Sequence, residues 1–463
     1  MSNSPQKLTL AEALRAARET KALEIGEGIL PKTPQVFRAQ FGDQPVVLVA
    51  DENTFAAAGQ KVLEAFRAAK HAVLEPFTFR DPSLYAEFRF VEQLETALKQ
   101  HKAIPVAVGS GTINDLTKLA SHRTGRSYMC VATAGSMDGY TAFGASITYQ
   151  GAKQTFTCPA PVAVLADLNV ISAAPGLMNS WGYADLLAKV TAGADWIVAD
   201  AFGAEPIDAQ AWAIVQGRLR EMVADPAGVP ARKPAVIGKL VEGLMLGGFA
   251  MQSAQSSRPA SGAEHQFSHL WDMQHHIHNG KAPSHGFKVA IGTLAVAALY
   301  DRLFQLPLEC LDIEACCAAW PDAETWCRRA AELLGDDELA AGAAKELRAK
   351  HSTPEQLREQ LEKLRAIWPA LKQKLRTQLL PLTTLQQMLR EANAPTEPEH
   401  IGITRERLRR SYWQAFCIRR RFTVLDLAVR TGLLDQCLDQ IFGPRGVWPA
   451  EFPETVCATP KSQ

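Results

Sequence analysis

Residues 261–269 read "SGAEHQFSH" and residues 284–294 read "SHGFKVAIGTL". On a helix, His265 and His269 would sit one turn apart on one face, a spacing by which imidazoles are presented to a metal ion. Six of the eleven histidines lie between 265 and 285, so spacing alone leaves open which of them would ligate. A carboxylate partner stands upstream in "WGYADLLAKVTAGADW" (181–196), where Asp185 and Lys189 are one helical turn apart. Such a pair is often only a surface salt bridge. Here, however, Asp185 lies among Tyr183, Leu186, Leu187 and Val190, and a carboxylate in apolar surroundings needs a partner, which a metal could be. One carboxylate and two imidazoles would leave coordination positions open, as catalytic sites do.

Three further stretches could meet a ligand, the first two of them a nucleotide. In "VAVGSGTINDLTKLA" (106–120) an apolar run enters Gly109-Ser110-Gly111-Thr112 and then a helix opening near Asn114-Asp115. Glycines there let the backbone approach a pyrophosphate, and the helix's first amides supply donors. The pattern is not GxGxxG, and an ordinary strand–helix turn has the same letters. Asp51 ends the run "VVLVAD"; it could accept from a ribose 2′-hydroxyl and repel a 2′-phosphate, or simply cap the next helix. "TAGSMDGYTA" (133–142) would bring Ser136 and Asp138 to a sheet edge, although Asp-Gly is also a common turn.

The elements that must position these residues change character near residue 175. Up to there, strand-like runs at 45–51, 71–79, 103–111, 128–134 and 161–168 alternate with helical stretches. That pattern predicts a parallel sheet covered on both faces, with a hairpin over 144–158. Beyond it, helical periodicity dominates. The expected organisation is an α/β nucleotide-binding domain over 1–175 and an all-helical metal and substrate domain over 176–463. Within the latter, the charged, amphipathic stretch 335–395 reads as a solvated helical pair or a subunit contact. The end of the chain reads as loose.

Composition narrows the chemistry. Lys+Arg and Asp+Glu are 49 each, giving no net charge, so no global field favours nucleic acid or an anionic membrane. Any anionic substrate must be met by a few local cations. The apolar runs "LVEGLMLGGFAM" and "VAIGTLAVAALY" read as too short for a membrane span, and the polar N-terminus is not a signal peptide. Nine scattered cysteines without a CxxC pair read as reduced thiols of a cytoplasmic protein.

In order, "GSGTINDLTKLA", "TAGSMDGY", "GYADLLAK", "RPASGAEHQFSH" and "HGFKVAIGTL" resemble the sn-glycerol-1-phosphate dehydrogenases of the iron-containing alcohol dehydrogenase and dehydroquinate synthase-like superfamily. "IGITRERLRRSYWQAFCIRRRFTVLDLAVRTGLL" resembles their bacterial branch. The resemblance implies an NAD(P)-dependent oxidoreductase that interconverts dihydroxyacetone phosphate and sn-glycerol 1-phosphate. It implies NAD, with NADP not excluded, and one divalent metal, zinc or nickel, with iron also compatible. Residue by residue it implies metal ligation by Asp185, His265 and His285. Dinucleotide contacts would come from Asp51, Gly109, Ser110, Gly111, Thr112, Asp115, Thr133 and Ser136. Asp138 would face substrate hydroxyls, and His269 would stand beside the nicotinamide without ligating. Relatives with four ligands carry a histidine where this chain has Lys189. Candidate phosphate-binding cations are Lys189, Arg258, Lys288 and Lys153. The partner is a small phosphorylated molecule, with no nucleic acid or membrane insertion, and a homodimer is favoured. Competing readings are another superfamily member, such as a glycerol dehydrogenase or dehydroquinate synthase-like enzyme, or a non-catalytic nucleotide-binding regulator.

Overall fold

The computed structural model describes residues 7–150, 152–335 and 337–449. The C-terminal tail expected to be loose lies outside them. The strands are β1 (Ala22–Gly26), β2 (Val46–Asp51), β3 (Phe77–Phe79), β4 (Ile104–Gly109), β5 (Met129–Ala132), β6 (Ala145–Tyr149), β7 (Ala152–Phe156) and β8 (Ala163–Asp167). Six form one parallel sheet in the order β1-β8-β5-β4-β2-β3, and β6 and β7 pair as an antiparallel hairpin. All residues of β4, β5 and β8 are buried, as expected for strands covered on both faces, so their sequences read as unbroken apolar runs.

Two strand assignments differ from the sequence pattern. The stretch 71–79 pairs along the sheet edge only at Phe77–Phe79, with an isolated bridge from Val73 to Val46. Pro76 between them has no N–H to give a ladder. The other edge strand, β1, does not stand out in the sequence because its residues are half-exposed and lack a clean alternation.

Chain order sets the position of a ligand crevice. From β2 the chain runs outward to β3, then crosses back over β2 to β4 and continues to β5 on the opposite side. The carboxyl ends of β2 and β4 therefore flank the point where the connections diverge, where open α/β sheets bind ligands. The register pairs Val49 with Ala107, so Asp51 and Gly109 finish these two strands side by side.

After β8 every described element is helical. The helix Pro234–Ala254 is, by length and composition, apolar enough to cross a membrane, with a mean hydropathy of 1.3 over its best window. This corrects the reading of "LVEGLMLGGFAM" as too short, because helical residues on both sides extend it. Two thirds of that window (67%) is buried inside the protein, which suits a core helix. The 335–395 stretch folds as three helices, Asp337–Lys350, Pro354–Gln378 and Leu382–Glu391. The middle one buries Leu357, Leu361, Leu364, Trp368, Leu371 and Leu375. At its end Gln378 Nε2 donates to the Val190 carbonyl at 3.1 Å, so this helix buttresses the one that begins at Lys189. None of the eight described cysteines is in a disulfide.

Candidate active site

Three helices bring the metal-type residues together. Asp185 lies fully buried on Met178–Leu187, His265 is in the first turn of Ala263–Met273, and His285 opens His285–Leu303. The last two helices pack closely because Gly292 lies on the Glu264 carbonyl, which any Cβ would overlap. Only glycine allows an approach of this depth. One ligand atom each from Asp185, His265 and His285 lies within 4.8 Å of the others. Donors about 2.0–2.2 Å from one ion fit within such a span. Each histidine's other nitrogen is already engaged: His265 Nδ1 donates to Glu264 Oε1 at 2.8 Å, and His285 Nδ1 is hydrogen-bonded to Ser268 Oγ at 3.2 Å. That fixes ring orientation, as neighbours of metal-binding histidines do. His269 is half-buried, with its ring centroid 6.3 Å from those of both His265 and His285.

Lys189 occupies the next turn after Asp185. Its Nζ lies 2.7 Å from Asp185 Oδ1 and 2.7 Å from Asp138 Oδ2, and the Asp138 N–H donates to Asp185 Oδ2 at 3.3 Å. Burial opposes the charge on Lys189, yet Asp138 and Asp185 outweigh it and hold the ammonium above its ordinary range. Burial likewise opposes ionised Asp185, but Lys189 and then His265 hold it below the usual carboxylate range. Asp138 is raised, by burial and by the charge of Asp185, against the pull of Lys189.

Behind His265 lies a polar network that sequence reasoning missed. Glu264 is buried and accepts from the Gly262 N–H (2.5 Å) and Thr191 Oγ1 (3.1 Å) as well as from His265. Burial works against its ionisation, but the hydrogen bond and charge of His265 and the backbone N–H groups of Gly262 and Glu264 together outweigh it and lower its pKa. Nearby Asp195 is also buried and accepts from the Ala263 N–H, the Tyr300 hydroxyl and the Val424 N–H at 2.7, 2.6 and 3.0 Å. Burial and then the charge of Glu264 push it up to about 7. The acids thus divide into an ionised Glu264 behind the histidine and a more readily protonated Asp195 beyond it. The signal for both was an acidic residue inside an apolar helical run, in "GAEH" and "AGADW".

On the sheet side, Ser110 precedes the helix Gly111–Arg123 and its hydroxyl caps none of the first amides. These amides open into the crevice between β2 and β4, an arrangement that fits a pyrophosphate. Asp51 does cap its own helix, Oδ1 accepting the Thr54 N–H at 2.8 Å, so the plainer role is realised with one carboxylate oxygen. Thr133 and Ser136 are buried on the neighbouring loop, where the Thr133 N–H donates to the Gly109 carbonyl at 3.1 Å. Asp115 turns toward the hairpin, accepting from the Ser146 N–H at 3.3 Å. Lys118, on the same helix, was overlooked. Its fully buried ammonium donates to the carbonyls of Gly139, Ala142 and Gly144 at 3.0, 2.9 and 2.9 Å, which uses all three of its protons and holds the loop that carries Asp138.

The four cations considered for phosphate have varied surroundings. Lys189 is engaged as above. Arg258 is buried, donating to the Asp195 carbonyl at 2.6 Å with Nε 3.3 Å from Glu205. Lys288 is paired with Asp272. The side chain of Lys153, on the hairpin, is outside those described.

Comparison with known proteins bears on the family and the fold. Residues 24–175 match the family described as iron-containing alcohol dehydrogenase. Glycerol-1-phosphate dehydrogenase (NAD(P)+) of Halalkalibacterium halodurans is 33% identical over 287 residues, covering 61% of this chain and 71% of that protein. The same-named protein of Pyrococcus furiosus is 31% identical over 280 residues, covering 60% and 77%. Among solved structures, a probable glycerol dehydrogenase from Sinorhizobium meliloti aligns with a TM-score of 0.58 at 16% identity, over 91% of this chain and 98% of that one. NADH-dependent butanol dehydrogenase A from Thermotoga maritima aligns with a TM-score of 0.55 at 14% identity, over 90% and 96%. At such identities these two speak for the fold alone. By its similarity to the curated relatives, the chain belongs to the glycerol-1-phosphate dehydrogenase family.

Proposed function

We propose that this protein interconverts dihydroxyacetone phosphate and sn-glycerol 1-phosphate with NAD(P)(H), using one divalent metal held by Asp185, His265 and His285. The observation that carries the reading is this donor triad, closed by Glu264 and Ser268 behind the two histidines. A bound zinc or nickel ion, or iron, would act as a Lewis acid on the substrate's oxygen. The dinucleotide would exchange hydride with the substrate carbon.

The chain's own groups have distinct parts. The opening amides of Gly111–Arg123, with Gly109, Ser110, Gly111 and Thr112, would cradle the pyrophosphate. Asp51 would accept from the ribose 2′-hydroxyl, favouring NAD over NADP. Thr133 and Ser136 would line the nicotinamide end. Asp138, held by Lys189, would orient the substrate's hydroxyls, and His269 would pass a proton between the alcohol oxygen and solvent. With the metal bound, Glu264 would keep His265 in the tautomer whose Nε2 lone pair faces the metal position. We further propose a homodimer working in the cytoplasm, and a boundary near residue 175 between the dinucleotide and metal domains.

The test is NADH oxidation by chelator-treated protein with dihydroxyacetone phosphate and added metals, followed by chiral analysis of the product. Sn-glycerol 1-phosphate is expected; the 3-phosphate, or undiminished activity without metal, would overturn the reading. His265→Ala and His285→Ala should each lose bound metal, whereas His269→Ala should keep it and lose turnover. Loss of metal from all three would show that the triad is wrongly assigned.

A further inference from the structure

Beside His269 a cavity of about 360 Å³ is walled by Asp272, Lys345, Glu346 and Arg419. Its two acids are engaged by cations: Asp272 by Lys288, and Glu346 by Arg420, whose guanidinium lies 2.7 Å from Oε1 and 2.9 Å from Oε2. Its two cations are not engaged in this way. Among the described residues no hydrogen bond or ion pair holds Lys345 or Arg419. Burial holds the Arg419 guanidinium below its ordinary range, and Glu346 acts on it only from beyond ion-pair distance. A partly buried guanidinium with no partner is costly unless an anion completes it. Arginine's planar fork suits phosphate in particular.

We propose that this cavity seats the phosphate of the substrate, with Arg419 as the recognising cation and Lys345 as a second charge at its exposed rim. The inference rests on the proposed reaction and adds residues to it. The cavity borders His269, which adjoins both histidines of the triad. A ketone phosphate whose carbonyl oxygen lies at the triad carries its phosphorus only three bonds from the carbonyl carbon. The cations first considered are less available. Lys189 and Lys288 already face carboxylates, and Arg258 donates to the Asp195 carbonyl and has Glu205 3.3 Å from its Nε. Lys345 comes from the helix Asp337–Lys350, which gives the 335–395 stretch a share in substrate choice.

The experiment compares dihydroxyacetone phosphate with dihydroxyacetone as substrates, and measures inorganic phosphate binding to the metal-loaded, NADH-bound protein by calorimetry. Arg419→Met should raise the ratio of KM for the phosphorylated over the plain ketone about 10–100-fold, the loss of a charged hydrogen-bonded contact. It should also abolish phosphate binding while leaving the Kd for NADH unchanged. Arg419→Lys should recover part of both. If Arg419→Met does not fold, Lys345→Glu, at the solvated rim, should shift the same ratio in the same direction. An unchanged ratio in both variants, with wild-type protein active on dihydroxyacetone phosphate, overturns the inference. A weakened NADH Kd would assign the cavity to the cofactor's phosphates and also overturn it. Wild-type protein inactive on dihydroxyacetone phosphate would refute the proposed reaction instead, and phosphate calorimetry on Arg419→Met would then judge the cavity by itself.

Discussion

Glu264→Gln isolates what a buried charge contributes behind His265. The carboxylate accepts from His265 Nδ1, the Gly262 N–H and Thr191 Oγ1. Glutamine keeps one accepting oxygen for the first two and presents an N–H to Thr191. That hydroxyl also lies 2.9 Å from the Ala188 carbonyl, so it can turn its proton there and accept the new N–H. Thr191 thereby pairs one of the amide's two N–H donors, and only the second lacks a named partner, so the fold should largely tolerate the change. What is lost is the negative charge that makes His265 a better donor. Neighbours of ligating histidines typically influence metal affinity by 10–100-fold, about 1.4–2.8 kcal/mol. The assay is competition for zinc between the metal-free protein and a chromophoric chelator, with the thermal midpoint of the metal-free form recorded beside it. The expected result is weaker zinc binding with little change in that midpoint. Unchanged affinity would refute the reasoning, and a large fall in the metal-free midpoint would show that Glu264 holds the fold instead.

Lys189→Met should destabilise the metal-free protein by about 3–5 kcal/mol, because it strands the buried carboxylates of Asp138 and Asp185. At about 2 °C per kcal/mol for a domain of this size, scanning calorimetry should read a drop of about 6–10 °C; no drop would show that the pair is solvated. Asp195, with its pKa pushed up to about 7, should make stability fall as pH rises from about 4, where the unfolded carboxyl ionises, to about 7. Through that window the folded chain keeps a proton that the unfolded chain has released. Asp195→Asn should remove this part of the slope in a plot of thermal midpoint against pH, and an unaltered slope would refute the assignment.

Much of the fold was legible because its central strands are buried on both faces, so Val46–Asp51 and Ile104–Gly109 read as apolar runs bounded by turn residues. The edge strands were harder, since exposure and Pro76 weaken the pattern that burial imposes. In the site, Asp185, His265 and His285 were named before their geometry was known, but only through several motifs in one order. Local spacing alone pointed to His265 with His269. The residues that escaped notice, Lys118, Asp195 and Glu264, share a cause. Each is a charged side chain that also binds backbone groups or residues of other elements, and such pairings leave no periodicity in a sequence. Arg419 escaped for the opposite reason: it stands among three adjacent arginines, and what sets it apart is that Arg420 pairs with Glu346 while Arg421 donates to the Ser261 carbonyl and Ser257 Oγ.

Lys118 links the two halves of the site. Its three bonds rivet the 139–144 loop to a helix whose first turn faces the dinucleotide crevice. Were cofactor binding to displace that helix, these bonds would carry the movement to the loop that adjoins Asp138. Occupancy of one half of the site would then influence the other. By thermodynamic necessity the substrate must tighten the cofactor by the same factor as the cofactor tightens the substrate. A lysine whose charge touches neither ligand would thus make the two binding events one linked equilibrium.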